Sequence, residues 1–351
     1  MPYLTDTALA KSLRQNEIAP VYFLYGRETY LSAAYLDRII EKAVPKGTES
    51  FNLQKFDGGE LDIVSLQVAA EGMPLMATRK AVLLTNPNIE KMKKDDFESL
   101  LAMVKDPNPT TVFLIYVSAF DLNPKKMSRV KKLAEAAAKT GVTAEFAPRT
   151  QSDLVKFLKT RAQKAGLSLE TPAASLLVER CGSSLETLSA ELDKLIAYRS
   201  EGEITRADIE LVTHKSLEAS VFDLSKFLLQ KNATRAFAVL EDLFLLREEP
   251  LAILGALNAA FLDLYRAKAA LLASKTEQDV AALYPSAYRG REFRIRNAFR
   301  DAAKLSVVTL RECLAVLSAA DVQLKSTRCD AQAAAEQTVA ALLGKITGGN
   351  A

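Results

Sequence analysis

Apolar residues over roughly the first 146 positions come in two rhythms. After Ala19, PVYFLYG is a short unbroken apolar run closed by a glycine, the pattern of a strand buried on both faces. Residues 28–43 then place Tyr30, Ala34, Ile39 and Ile40 near helical spacing until Pro45 stops the pattern. FNLQKFDG alternates as a second strand, and a helix over 62–70 carries Ile63, Leu66 and Val68 before Gly72 and Pro74 end it. KAVLLT and TTVFLIYVSAF read as two further strands, with KMKKDDFESLLAMVK as a charged helix between them. Strands alternating with helices predict an α/β domain with a mostly parallel sheet, ending near Phe146.

Beyond Pro148 the pattern becomes helix after helix with no strand expected. Gly166, Pro172, Gly182 and Gly202 mark turns among three or four short helices up to Thr213. From Ser216 to Leu343, rich in alanine and leucine, five longer helices are expected, broken at Asn232, Pro250, Pro285 and Gly290. The fold class expected is therefore α/β plus all-α, divided as 1–146, 147–213 and 214–351. No internal repeat is visible, and the Ala-rich DAQAAAEQTVAALLGK reads as a good helix.

Composition narrows the chemistry. The 351 residues are 49% hydrophobic and 25% charged, as in an ordinary globular protein of two or three domains. The opening MPYLTDTALAKSLRQ lacks the apolar core of a signal peptide, and no uncharged apolar stretch reaches about 18 residues, so a cytoplasmic protein with no membrane partner is expected. Cys181, Cys313 and Cys329 are odd in number and widely spaced, which fits neither a disulfide framework nor a metal knuckle, and His214 is the single histidine. No metal, cofactor or catalytic residue is expected. A net charge of +3 means that any contact with nucleic acid must be local.

A strand, Gly26 and a helix invite comparison with the phosphate-binding pattern G-x-x-x-x-G-K-[ST]. Counting from Gly26, the second glycine would be Leu31, the lysine Ser32 and the magnesium-binding hydroxyl Ala33. Without that glycine the backbone cannot wrap phosphates, and without the lysine their charge goes unpaired. The AVLLT strand runs into Thr85 and Asn86 where a metal-binding acidic pair would stand. Gly26 alone is read as a strand-to-helix turn.

Taken in order, FLYGRETYL, then GMPLMATRKAVLLTN, then a helical remainder carrying DVQLKS resemble the delta-subunit family of the bacterial DNA polymerase III clamp loader, from Val21 to about Leu343. The resemblance implies an AAA+-like α/β domain that binds the clamp, a small helical lid and a helical collar for oligomerisation. It implies a subunit with no ATP site of its own, working inside the polymerase III holoenzyme and binding and opening the sliding clamp (beta) for loading onto primed DNA. Its partners would be the ATPase subunits (gamma/tau) and delta prime. Where ATP-binding relatives carry a nucleotide-sensing arginine after Gly-Ser-Leu, Gly182, Ser183 and Ser184 are here followed by Leu185.

The family's clamp-binding element falls on Pro74, Leu75 and Met76, with Met73 beside them; methionine stands where phenylalanine is frequent. Read without the resemblance, Leu75 and Met76 suit the core of a helix–strand junction. In YRGREFRIRNAFRDAAKL, a helix with Ile295, Phe299 and Ala302 on its apolar side, Arg296, Arg300 and Lys304 recur every four residues. That row suits a phosphate backbone, a neighbouring subunit or a solvated face. The lysine pairs at 93–94, 125–126 and 131–132 are assigned no role. Alternative readings are a lone degenerate ATPase, a delta prime subunit, which the absence of a cysteine cluster and a Ser-Arg-Cys run disfavours, and a free-standing DNA-binding helical protein.

Overall fold

The computed structural model describes Leu9, Leu13 and residues 18–119, 121–326 and 329–348. The chain divides into two compact units, residues 1–148 and 149–351.

The first unit is built on five parallel strands: β1 (Val21–Tyr25), β2 (Leu53–Asp57), β3 (Lys80–Thr85), β4 (Thr111–Val117) and β5 (Val142–Glu145), in spatial order β2-β3-β4-β1-β5. Its helices are α1 (Thr29–Ala43), the single turn α2 (Glu49–Asn52), α3 (Ile63–Glu71), α4 (Lys94–Lys105) and α5 (Ser128–Thr140). The apolar runs become strands because each is covered on both faces. Val21, Phe23, Tyr25, Val82, Leu84, Phe113 and Ile115 join a core with residues of α3, α4 and α5. The alternate residues Tyr22, Leu24, Ala81, Leu83, Val112 and Leu114 join the opposite core, with Leu9, Leu13 and α1. β2, at an edge, is the polar strand, and Lys55 on it is exposed.

Several expectations shift here. The strand expected from FNLQKFDG begins only at Leu53, because Phe51 and Asn52 finish α2. Residues 128–140 form α5 and 142–145 form β5, neither of which the apolar rhythm announced; Lys131 and Lys132 therefore lie on a helix. β4 stops at Val117, and Phe120, at the end of the expected strand, lies outside the described residues. In α1 the buried side is Ser32, Leu36, Ile39 and Ala43, so Ala34 faces water. In α3 the buried side is Leu66, Ala69 and Ala70, which leaves Val64 and Val68 on the outer face.

Gly26 has a packing reason to be glycine. Its φ is +133°, and a Cβ there would lie 2.2 Å from the Phe146 carbonyl oxygen, so the chain beyond β5 passes where a side chain would be.

The second unit is helical: α6 (Gln151–Lys164), α7 (Thr171–Cys181), α8 (Leu185–Tyr198), α9 (Arg206–Val212), α10 (Leu217–Leu229), α11 (Ala233–Leu245), α12 (Pro250–Leu272), α13 (Glu277–Leu283), α14 (Pro285–Tyr288), α15 (Glu292–Ala302), α16 (Val307–Ser326) and α17 (Ala331–Gly348). The expectation of no strand fails in a small way, since β6 (Leu167–Ser168) and β7 (Gly202–Glu203) pair in parallel. From Ser216 onward eight helices stand among the described residues where five were expected, because α13, α16 and α17 begin as separate helices at Glu277, Val307 and Ala331, beyond the expected breaks. Three helices start with a Thr-x-x-Asp capping box, at Thr150, Thr205 and Thr276, each satisfying N–H groups that the first helical turn cannot pair. The residues of α10–α17 share one apolar core centred on Leu257, Phe261, Tyr288, Leu310 and Leu342.

A buried ionic cluster ties α12 to α14 and α15. Asp263 accepts from the Tyr288 hydroxyl at 2.7 Å and from Arg294 Nη2 at 2.8 Å, with Arg266 Nη1 3.6 Å away. Burial, reinforced by the Asp263 carboxylate, pushes the Tyr288 hydroxyl up to about 12. Cys181 and Cys313 are buried and Cys329 is exposed. Burial raises both buried thiols to about 11, so they are inert core residues.

Candidate functional site

Between α3 and β3 the chain forms a tip at the end of the sheet where its strands begin. α3 starts at Asp62, whose side chain accepts from the Val64 N–H, and ends at Glu71, with Gly72 as its C-cap. Three side chains from the starts of β3 and β4 and the segment before β4 take up its last carbonyls. The Lys80 ammonium donates to Ala69, Thr111 Oγ1 to Ala70 at 2.9 Å, and Asn108 Nδ2 to Glu71 at 2.9 Å. Burial lowers the pKa of Lys80, whose charge faces the negative end of the helix. The helix end is thus fixed in place.

Beyond Gly72 the chain projects. Met73 is 77% exposed, Leu75 54% and Met76 95%. These values exclude the reading of Leu75 and Met76 as core at a helix–strand junction. Pro74 lies between Met73 and Leu75 in non-regular backbone, and Met76 takes a left-handed φ of +52°. From the other side, Asn52, fully buried at the end of α2, holds Leu75. Its Nδ2 donates to the Leu75 carbonyl and its Oδ1 accepts from the Leu75 N–H, both at 2.8 Å. The sequence pattern does not single out Asn52; its one signal is an asparagine in a run otherwise suited to a strand, where that residue is disfavoured.

At the opposite end of the sheet, beyond the carboxyl ends of β1, β3 and β4, lies the place where open α/β sheets hold nucleotides. Here its groups are engaged with one another. The N–H groups of Gly26 and Glu28 donate to the carbonyls of Val117 and Phe146, at 3.3 and 3.0 Å. Ser32, at the position of a phosphate-binding lysine, is buried with Oγ 3.1 Å from both the Thr29 carbonyl and the Tyr116 hydroxyl. Leu31 packs against the core, and Arg27 pairs with Asp121. Asn86 accepts through Oδ1 from the Ser118 and Ala119 N–H groups at 2.9 and 3.0 Å, while Thr85 donates to the Phe56 carbonyl. Leu185, opening α8, is 1% exposed and belongs to the apolar interior of its own unit. Among the described residues no cluster of three or more His, Cys, Asp or Glu is arranged to hold a metal ion.

Comparison with known proteins gives this arrangement its family. Residues 22–141 match the family model described as DNA polymerase III, delta subunit, and 218–342 match that of the delta subunit's C-terminal domain. The chain belongs to the DNA polymerase III delta-subunit family. It is 28% identical over 329 residues to the DNA polymerase III subunit delta of Bacillus subtilis, covering 92% of each chain. It is 27% identical over 257 residues to the probable subunit delta of Aquifex aeolicus, covering 71% of this chain and 70% of that one. The solved structure of the Bacillus subtilis DNA clamp loader delta protein superposes with a TM-score of 0.68 at 26% identity, covering 97% of this chain and 99% of that chain. The fold class expected from the sequence, a parallel sheet followed by helices, is the delta-subunit fold.

The basic row is less regular than its spacing implied. Arg296 and Arg300 lie exposed on α15, but that helix ends at Ala302, so Lys304 stands in the following turn rather than one helical turn further along the same face. Arg296 donates to Gln151 Oε1 at 3.3 Å, and Arg300 pairs with Asp301 at 3.2 Å. Burial raises the pKa of Glu179 on α7, an effect that Arg296, Arg206 and Arg300 oppose. A cavity of about 870 Å³ nearby is lined by Arg206, Lys215, Arg291 and Arg300, together with Glu179, Glu210, Asp223 and Asp301, so cations and carboxylates offset one another there. No helix among the described residues is long and apolar enough to cross a membrane.

Proposed function

We propose that this delta-family chain is the subunit of the loader that binds the sliding clamp and opens it for loading onto primed DNA. The single observation that supports this most is the tip. Met73, Leu75 and Met76 present apolar side chains just ahead of β3, and buried polar groups are committed to holding that exposed loop outward. Such an arrangement makes sense where a partner covers the apolar surface. Burying two medium apolar side chains contributes roughly 3 to 6 kcal/mol before ordering costs. That biases a protein interface without breaking a large one, so the mechanism is capture of a transiently opened clamp rather than forcing of a closed one.

The chain hydrolyses no ATP by itself in this reading. Leu31, Ser32, Ala33, Thr85, Asn86 and Leu185 replace the groups that hold phosphate, metal and sensor contacts, and the N–H groups of Gly26 and Glu28 after β1 are already engaged. Timing then comes from the ATPase subunits (gamma/tau), with delta prime as a further partner. Within this reading 147–213 serves as the lid and 214–351 as the collar by which the chain joins the ring, and Arg296, Arg300 and Lys304 meet DNA or a neighbouring subunit there.

The test is capture of the sliding clamp of the same organism on immobilised full-length chain, with and without ATP. Saturable capture in both conditions is expected; absence of capture in both removes the proposal.

A further inference from the structure

We infer that Asn52 is the positioning residue of the tip, an inference that rests on the clamp-binding reading above. Its carboxamide satisfies both backbone hydrogen-bonding groups of Leu75, as a neighbouring strand would, although 23 residues separate the two. The match is one of donors and acceptors: only an amide offers an N–H to the carbonyl and an oxygen to the N–H at the same time. Aspartate at this position would set a carboxylate oxygen against the Leu75 carbonyl, and alanine would leave both groups unpaired.

The position gives the bond pair its consequence. Asn52 is fully buried and sits at the junction of α2 and β2, so its side chain is anchored in the folded unit while its partner is more than half exposed. Upstream, Gly72 is tied to α3 through its N–H to the Val68 carbonyl at 3.0 Å. Downstream, Met76 adopts a left-handed backbone that methionine does not favour unaided. With Leu75 fixed, the backbone on either side has a firm point from which both side chains project. A free loop would instead have to be ordered on meeting its partner, and that cost appears directly as weaker affinity.

The experiment uses the full chain with Asn52→Ala, Asn52→Asp, Leu75→Ala/Met76→Ala and the triple variant of Asn52→Ala with the tip pair. Three quantities are measured: affinity for the sliding clamp, melting temperature, and amide hydrogen exchange of peptides spanning 72–79 against those of β3 and β4. Asn52→Ala is expected to weaken clamp binding by about tenfold or more, the scale of removing one hydrogen-bonded pair. It should speed exchange at 72–79 by a similar factor and leave β3 and β4 protected. Asn52→Asp, which keeps the bond from the Leu75 N–H, should fall between. In the tip-pair background, Asn52→Ala should add almost nothing, because the side chains it positions are gone.

Wild-type affinity and wild-type exchange at 72–79 in Asn52→Ala would overturn the inference, as would a loss that adds in full to that of the tip pair. If Asn52→Ala fails to fold, the affinity and exchange of Asn52→Asp decide by the same criteria. If instead the tip pair binds clamp like the wild type, the clamp-binding reading has failed, and exchange at 72–79 still decides whether Asn52 holds Leu75.

Discussion

Leu75 and Met76 hold apolar surface in water at little gain to the folding of their own chain, so removing it should leave stability intact. Apolar anchors that enter a partner's pocket dominate such interfaces, and truncating each costs about 2 kcal/mol or more, together on the order of a thousandfold in affinity. Leu75→Ala with Met76→Ala should therefore abolish clamp capture while the melting temperature stays within a few degrees. A variant that melts far lower while its folded fraction still captures clamp would place these residues in a structural role. The pair is picked out by the family resemblance: Gly72 and Pro74 end the helix just before it and allow it to project, but the local pattern alone suits core. Asn52 is not picked out, since a side chain that bonds backbone across 23 residues leaves no local pattern. Tyr288 is a second case of long-range control. Its hydroxyl, held by Asp263, keeps its proton to about 12, whereas an unfolded tyrosine ionises near 10. Between those values the folded state binds the extra proton, so stability falls as pH rises through the window. The stability advantage of the wild type over Tyr288→Phe should be constant below about pH 10 and shrink from there to about 12. Parallel urea curves across that range would show that the hydroxyl does not carry this linkage.

At the scale of elements, legibility follows length and punctuation. β1, β3 and β4 announce themselves because strands buried on both faces are unbroken apolar runs, while β5 is only four residues, VTAE, and gains its place by pairing with β1. The Thr-x-x-Asp starts of α6, α9 and α13 are present in the sequence as capping signals and divide the helical region more finely than its glycines and prolines do. The apolar spacing of α15 is plain, but it carries the helix two residues past its end at Ala302, which is why Lys304 leaves the row. The row's proposed role still has a direct test. Arg296→Glu with Arg300→Glu, carried in the assembled loader, should weaken binding to primed DNA and reduce the slope of log affinity against log salt by about one for each phosphate no longer neutralised. Clamp capture by the free chain should not change, since these residues belong to a different unit from the tip. Because Glu179 lies within the influence of both arginines, the melting temperature of the variant is measured alongside. An unchanged salt series with normal stability would return both arginines to the role of a solvated face.

At the scale of the whole molecule, the tip and the crevice occupy opposite ends of one sheet. The tip gathers residues at or before the starts of β2, β3 and β4: Asn52, Leu75, Met76, Lys80, Asn108 and Thr111. The crevice gathers residues that come after β1, β3 and β4: Gly26, Arg27, Asn86 and Ser118. A parallel sheet separates these two ends by construction, and in a working ATPase the second end would be the one to hold nucleotide. In the proposed reading, the missing lysine, the engaged N–H groups of Gly26 and Glu28 and the asparagine that ties the end of β3 to the chain after β4 each oppose a different requirement for binding phosphate and magnesium. Restoring one would not restore the others. Equilibrium titration of the full chain with a fluorescent ATP analogue should accordingly show no saturable, magnesium-dependent binding in the micromolar range. Clamp affinity measured in the same samples should be the same with and without ATP, because the proposed reading gives the chain no nucleotide contact through which the tip could be biased. Micromolar binding that requires magnesium would mean that the contacts among Gly26, Val117, Glu28 and Phe146 open to admit phosphate, and the chain would have to be regarded as a nucleotide-responsive subunit.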